Sequence, residues 1–290
     1  MPPDRVHTAP VPELPEVETV RRQLAPQLRG RTVLATWSFG TPKFDQAHLA
    51  AGSTFGPLDR RGKYLLAALD GPDGERELVL HLGMTGRLGV RPGPIDGPID
   101  GPVDGPTGTH LRAAWELDDG TTFEFHDVRR FGRLAVVDHG DHDGLPTLAH
   151  LGPEPFDDAF TPASLRAAVA RSGRAIKTQL LSQRPVAGLG NIYADEALWD
   201  AGIHPRATRL GTQRAAALHD AIRRVLDAGI RHGGTTLRDY RDATGAEGSH
   251  QHRLRCYGRA GRPCLRCGLP LRRTVVDART TTFCPTCQAR

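Results

Sequence analysis

The chain has 290 residues and a formal net charge of +5, and its cations are almost all arginine: the lysines are Lys43, Lys63 and Lys177. The length suits one large domain or two ordinary ones, and the positive balance favours an anionic partner. The opening residues lack the apolar core of a signal peptide and no run reaches membrane-spanning length, so secreted and membrane-spanning classes are set aside. A soluble cytoplasmic protein with no membrane partner is expected.

Residues 1 to 11 show no periodicity. The chain changes character at Pro12-Glu13-Leu14-Pro15-Glu16-Val17-Glu18. Pro15 suits the first turn of a helix, where its missing N–H would be unpaired anyway. Glu16 and Glu18 put negative charge where the helix dipole favours it, and Val17, Val20, Leu24 and Leu28 form one apolar face. The helix explains Pro15 onward and leaves Pro12-Glu13 standing in front of it. At a free N-terminus that pair would be a secondary amine beside an acid, aimed by a rigid helix.

Strands are expected at residues 32–37, 63–69 and 78–82. The second opens from Arg60-Arg61-Gly62-Lys63; taken alone, Lys63 is a solvated lysine at a strand edge. His81-Leu82-Gly83-Met84-Thr85-Gly86 follows, with glycines that permit a sharp loop, and spacing does not decide whether Met84 is buried or exposed. Residues 93 to 106 repeat a Gly-Pro-x-Asp unit, a low-complexity loop to which no catalytic role is given. Strands at 111–117 and 121–125 flank Asp118-Asp119-Gly120 as a hairpin, with His110 just before them. Then comes Asp127-Val128-Arg129-Arg130-Phe131-Gly132, which by itself reads as a turn with an ordinary ion pair.

Residues 151–158 break all periodicity and read as an interdomain linker. Beyond them Thr161-Pro162-Ala163 caps and starts a helix, and another begins near Ile176 and Lys177. Val186-Ala187-Gly188-Leu189-Gly190-Asn191 runs from a glycine turn into a helix N-terminus, whose exposed N–H groups form a ready phosphate site. An amphipathic helix at 218–230 precedes a Gly/Ser/His-rich segment, 241–252, expected to be a mobile loop.

All five cysteines lie after residue 255. Cys264-x2-Cys267 and Cys284-x2-Cys287, sixteen residues apart, fit a tetrahedral four-cysteine ribbon holding one structural zinc ion, with no open coordination position. The rival disulfide framework is disfavoured in a cytosolic chain, and Cys256 falls outside the spacing as a spare thiol. Between the knuckles a hairpin is expected with Arg279 at its tip, where a solvated turn arginine would need no function.

Together these motifs resemble the formamidopyrimidine-DNA glycosylases, over residues 12 to 290 and interrupted by the repeat. The resemblance implies an α+β multidomain fold: an N-terminal β-sandwich with flanking helices, a helical helix-two-turn-helix domain, and a C-terminal zinc-ribbon hairpin. The expected boundaries are an extension at 1–11 absent from the mature enzyme, a catalytic domain at 12–150, a linker at 151–160, a DNA-binding domain at 161–250 and a zinc finger at 251–290. It implies a monomeric bifunctional glycosylase and AP lyase excising oxidised purines, such as 8-oxoguanine, from damaged double-stranded DNA bound between the domains. Catalysis is then assigned to Pro12 as nucleophile, Glu13 as acid, and Lys63 and Arg279 as phosphate-holding and elimination-assisting cations. DNA contacts are assigned to His81, Met84, His110, Arg129, Phe131, Arg174, Lys177 and Asn191, with Met84 and Phe131 inserted into the duplex and Arg129 reaching the unpaired base.

Two departures matter. Thr109-His110-Leu111-Arg112 stands where relatives carry Lys-His-x-His, so only His110 carries over directly and Arg112 is left a cationic role. Eleven residues also precede Pro12, and Val11 stands where relatives have their initiator methionine. Synthesis starting at Val11 from a GUG codon, followed by trimming, would free the proline amine; proteolysis of a true extension is the other route. The rivals are an endonuclease VIII-type enzyme for oxidised pyrimidines, against which Leu14 argues, and a non-catalytic damage binder that keeps the extension.

Overall fold

In a computed structural model, which describes residues 11–95 and 110–289, the chain divides into two compact units. One gathers Glu16–Ala149 with Thr235–Gly248; the other gathers the stretch ending at Pro15 with His150–Gly234 and Ser249–Arg290. The extension up to residue 10 and residues 96–109, which hold most of the repeat, lie outside the described residues.

The first of these units is a sandwich. Helix α1 (Leu14–Leu28) belongs to it from Glu16 on, and eight strands follow: β1 (Val33–Ser38), β2 (Thr54–Arg61), β3 (Tyr64–Gly71), β4 (Gly74–His81), β5 (Gly86–Pro92), β6 (Leu111–Leu117), β7 (Thr121–Asp127) and β8 (Arg133–Asp138). A short helix α2 (Pro146–Ala149) ends its first stretch, to which Thr235–Gly248 is added. The strands form two four-stranded sheets, ordered β1-β6-β7-β5 and β2-β3-β4-β8. All pairings are antiparallel. Alternation puts Leu65, Ala67 and Leu69 of β3 and Leu78 and Leu80 of β4 on one face, against Trp115, Phe123 and Phe125 of the other sheet. Val17, Val20, Leu24 and Leu28 of α1 close the same core, as their spacing predicts. Trp115 stacks on Phe123 at 5.0 Å between ring centroids, and its indole N–H donates to the Ala47 carbonyl.

Two crossings between the sheets carry candidate residues. The chain leaves β4 and enters β5 of the other sheet through residues 82–85, and it leaves β7 and enters β8 through residues 128–132. The register pairs His81 with Arg133 and Gly86 with Asp127, so the two crossings lie side by side.

In the other unit α3 (Pro162–Ala170) opens with a capping box between Thr161 and Ser164, where the sequence places its start. Helices α4 (Ile176–Leu181), α5 (Asn191–Asp200) and α6 (Thr212–Arg231) pack around Leu165, Leu180, Ile192, Tyr193 and Leu198, with Leu218, Ile222 and Leu226 supplied by α6. A two-stranded hairpin, β9 (Arg272–Val276) and β10 (Arg279–Phe283), completes the unit.

The sequence-based strands at 32–37, 78–82, 111–117 and 121–125 correspond to β1, β4, β6 and β7, and the amphipathic helix at 218–230 is the greater part of α6. Lys63 itself sits in the β2–β3 turn, and β3 begins one residue later. β2, β5 and β8 are additional. β2 carries Gly56-Pro57 and a register shift between Phe55 and Leu58, which interrupts the alternation that reveals a strand.

Candidate functional site

In the sandwich unit, Gly62 and Lys63 form a two-residue turn closed by the Arg61–Tyr64 pair, with Gly62 left-handed at φ +58°. The turn is braced from α1. Glu18 accepts from Arg21, Arg22 and Arg60, and Arg60 also donates to the Gly62 carbonyl at 3.1 Å. Burial opposes ionisation of Glu18, but hydrogen bonds from Arg21 and Arg22 and the charges of Arg21 and Arg60 outweigh it and hold the carboxyl at about 2.

His81 ends β4. Burial, with the charges of Arg133 and Lys63, pushes its imidazole down to about 3, so the ring is neutral at physiological pH. Its Nδ1 accepts the Gly83 N–H at 3.1 Å, which leaves the ring proton on Nε2. Met84 follows on the first crossing and is half-buried. On the second crossing Arg129 and Phe131 are exposed, with the guanidinium 4.9 Å from the ring centroid. His110 lines a cavity of about 530 Å³ together with Arg87, Arg91 and His126. Arg112 corrects the expectation that it would replace a DNA-facing histidine as a cation. It is buried, stacks on Phe39 and donates to the Asp127 and Leu111 carbonyls.

In the other unit, Pro12 and Glu13 are buried ahead of α1. The Glu13 carboxylate accepts from the N–H groups of Gly190 at 2.5 Å, Ile192 at 2.8 Å and Tyr193 at 3.3 Å. It therefore caps α5 from far away in sequence, which explains why α5 has no side-chain cap of its own. A Cβ at position 190 would collide with this carboxyl, so glycine is required there by space.

Asn191 donates to the Thr280 carbonyl at 3.1 Å. Lys177, expected on the DNA backbone, is instead fully enclosed: Nζ donates to Asp195 at 2.5 Å and to the Thr281 hydroxyl at 2.8 Å. Asp195 in turn accepts the Thr282 N–H, so the pair fastens β10 to the helices. Arg174 is exposed but engaged with Asp277 at 2.8 Å. Asp277 and Ala278 form the hairpin turn with φ of +50° and +58°, and Arg279 is the exposed first residue of β10.

Cys264, Cys267, Cys284 and Cys287 present sulfur atoms that all lie within 4.8 Å of one another. Zn–S bonds of about 2.3 Å in a tetrahedron set sulfurs about 3.8 Å apart. The Cys264–Cys287 and Cys267–Cys284 separations are 3.9 and 3.5 Å, far beyond disulfide bonding. The donor set fits a closed metal shell. The Trp199 indole N–H reaches Cys264 Sγ at 3.4 Å, and Arg266 stacks on Trp199 at 4.4 Å. Cys256 is buried outside the cluster and donates to the Thr282 carbonyl.

Glu18, Arg60, Thr85, Asp127 and Asp195 support these groups in ways that no local pattern announces. Thr85 and Asp127 sit inside motifs singled out from the sequence, but only the paired crossings show that they meet. Lys177 and Asp195 give no local signal of their pairing.

Three family models match: the formamidopyrimidine-DNA glycosylase N-terminal domain over residues 11–134, the H2TH domain of the same glycosylase over 151–241, and a zinc finger found in FPG and IleRS over 261–290. A formamidopyrimidine-DNA glycosylase of Deinococcus radiodurans is 44% identical over 288 residues, covering 96% of this chain and 97% of its own. The crystal structure of the MutM (FPG) protein of Thermus thermophilus is 44% identical, with a TM-score of 0.84 over 96% of this chain and 99% of that one. A Lactococcus lactis FPG mutant in complex with Fapy-dG containing DNA is 34% identical, with a TM-score of 0.81 over 96% and 100%.

Proposed function

The chain belongs to the formamidopyrimidine-DNA glycosylase family, and from that membership we infer a bifunctional DNA glycosylase and AP lyase that excises oxidised purines from duplex DNA. The observation that carries the chemistry is the Glu13 carboxylate on three N–H groups at the start of α5, next in sequence to Pro12. A base hidden in a duplex must be turned out before it can react. The Pro12 amine then attacks C1′ of the sugar and the base leaves with the bonding pair. An N-terminal amine has a pKa of ~8, against ~10 for lysine, so a useful fraction is neutral and nucleophilic near neutrality.

Glu13 is set to take the proton that the proline nitrogen loses and to return it to the sugar ring oxygen as the ring opens. The resulting iminium has no N–H to lose and remains a cationic electron sink, which acidifies the C2′ proton and drives elimination of the phosphates. Lys63 and Arg279 are assigned to those phosphates, His110 and Asn191 to the DNA backbone, His81 to the DNA-binding cleft, and Arg129, Met84 and Phe131 to the gap left by the everted base. Arg174 contributes at the hairpin tip, and Lys177 acts from inside by holding β10.

The finer assignments belong to the same reading. Cys264, Cys267, Cys284 and Cys287 hold one structural zinc ion, which supplies cross-linking of the hairpin and no chemistry. The enzyme works as a cytoplasmic monomer on damaged duplex DNA; among the described residues no helix is long and apolar enough to cross a membrane. Residues 12–150, 161–250 and 251–290 are assigned to its catalytic, helical and zinc-finger regions, although residues 12–15 fold with the helical unit and Thr235–Gly248 with the sandwich unit, and the mature chain begins at Pro12. The N-terminal family model, matching from residue 11, supports that start. Excision from duplexes carrying 8-oxoguanine or thymine glycol tests the substrate class. Faster release of 8-oxoguanine is expected, and a preference for thymine glycol would transfer the chain to the pyrimidine specificity.

A further inference from the structure

The two sheet crossings that carry Met84 and Phe131 are built as one piece. The Thr85 hydroxyl donates to Asp127 Oδ1 at 2.5 Å and accepts the Arg129 N–H at 3.0 Å. Asp127 Oδ1 also accepts the Arg129 N–H at 3.2 Å, and its Oδ2 accepts the Gly132 N–H at 2.6 Å. Asp127 is fully buried and Thr85 is nearly so. The backbones also touch: a Cβ on Gly83, which is left-handed at φ +63°, would overlap the Phe131 carbonyl carbon and the Gly132 nitrogen.

We propose that Thr85 is a positioning residue, a latch that fixes the Met84 crossing against the Arg129–Phe131 crossing so that both side chains enter the duplex at a set separation. The assignment rests on the DNA-inserting roles given above to Met84 and Phe131. The physical case is independent of those roles. Thr85 is the one side chain of the first crossing whose hydroxyl both donates to and accepts from the β7 end and second crossing, among the hydrogen bonds described. Each crossing changes sheets, so strand pairing stops at His81–Arg133 and resumes at Gly86–Asp127. Between those pairs the ladder no longer sets the spacing, and the Thr85–Asp127–Arg129 bonds do. A displaced inserting side chain loses stacking while the fold survives.

The test uses Thr85→Val, which keeps the shape and deletes the hydroxyl, Thr85→Ala as a second deletion, and Thr85→Ser, which restores it. Excision of 8-oxoguanine from duplex DNA is compared with borohydride trapping on a preformed abasic site, where no base has to be turned out. Stacking losses set a scale of about tenfold. Both deletions should lower excision by about that factor and trapping much less, the same split expected of Phe131→Ala, and Thr85→Ser should recover excision. Parental excision in both deletions, equal loss of both reactions, or failure of the serine to rescue would overturn the latch. Parental chain beginning at Pro12 that is never trapped would instead remove the glycosylase reading itself, so the two failures are distinguishable.

Discussion

Glu18 shows how a single carboxylate can serve a reaction it does not touch. It lies in the second turn of α1 and gathers Arg21, Arg22 and Arg60, the last of which holds the carbonyl beside Lys63. Its carboxyl is held at about 2, below the ordinary value of 4.5. A group whose folded pKa is depressed contributes stability above its unfolded pKa and loses it as pH falls through the folded one. The difference in melting temperature between parent and Glu18→Gln should therefore be full at neutral pH and shrink between pH 4.5 and about 2. A gap that does not change with pH over that window would show that the charge of Glu18 contributes nothing. Lys177 is the contrasting case at this scale: burial lowers its pKa while Asp195 favours its charge, and it is spent on internal bonds.

At the scale of elements, what the sequence made legible was whatever carries a local signature. The α1 stripe, the Thr161 cap and the paired Cys-x2-Cys knuckles each rest on residues close together in the chain, and all three appear as expected. The glycine run before Asn191 announces a helix start, but not that Glu13 would cap it from 177 residues away. The crossings at 82–85 and 128–132 were visible as motifs, yet their contact depends on strand order, which no local pattern encodes. The same applies to Lys177 and Asp195, whose side chains face inward because β10 lies over them.

The zinc-ribbon element carries its own prediction. Cys264→Ser should lose bound zinc and DNA binding, because it opens the closed shell beneath the hairpin that presents Arg279. Cys256→Ser should retain both, since that thiol is pushed up by burial, stays protonated and bonds only the Thr282 carbonyl among the contacts described. Zinc content measured by atomic absorption and binding to an abasic-site duplex check the pair; full zinc in the Cys264 variant would contradict the ligand assignment.

For the whole molecule, the proposed chemistry depends on one nitrogen. Everything assigned to Glu13, Lys63 and Arg279 presupposes that Pro12 begins the mature chain as a secondary amine, since an amide nitrogen has no lone pair to offer C1′. The most direct measurement is borohydride trapping on abasic-site DNA, with the mass of the cross-linked protein read on the same sample. A chain trimmed to begin at Pro12 should be trapped, and Pro12→Gly should be trapped much less. The full-length chain should be trapped only in the fraction that has lost residues 1 to 11. Efficient trapping of chains whose mass shows residues 1 to 11 intact would contradict the proline mechanism.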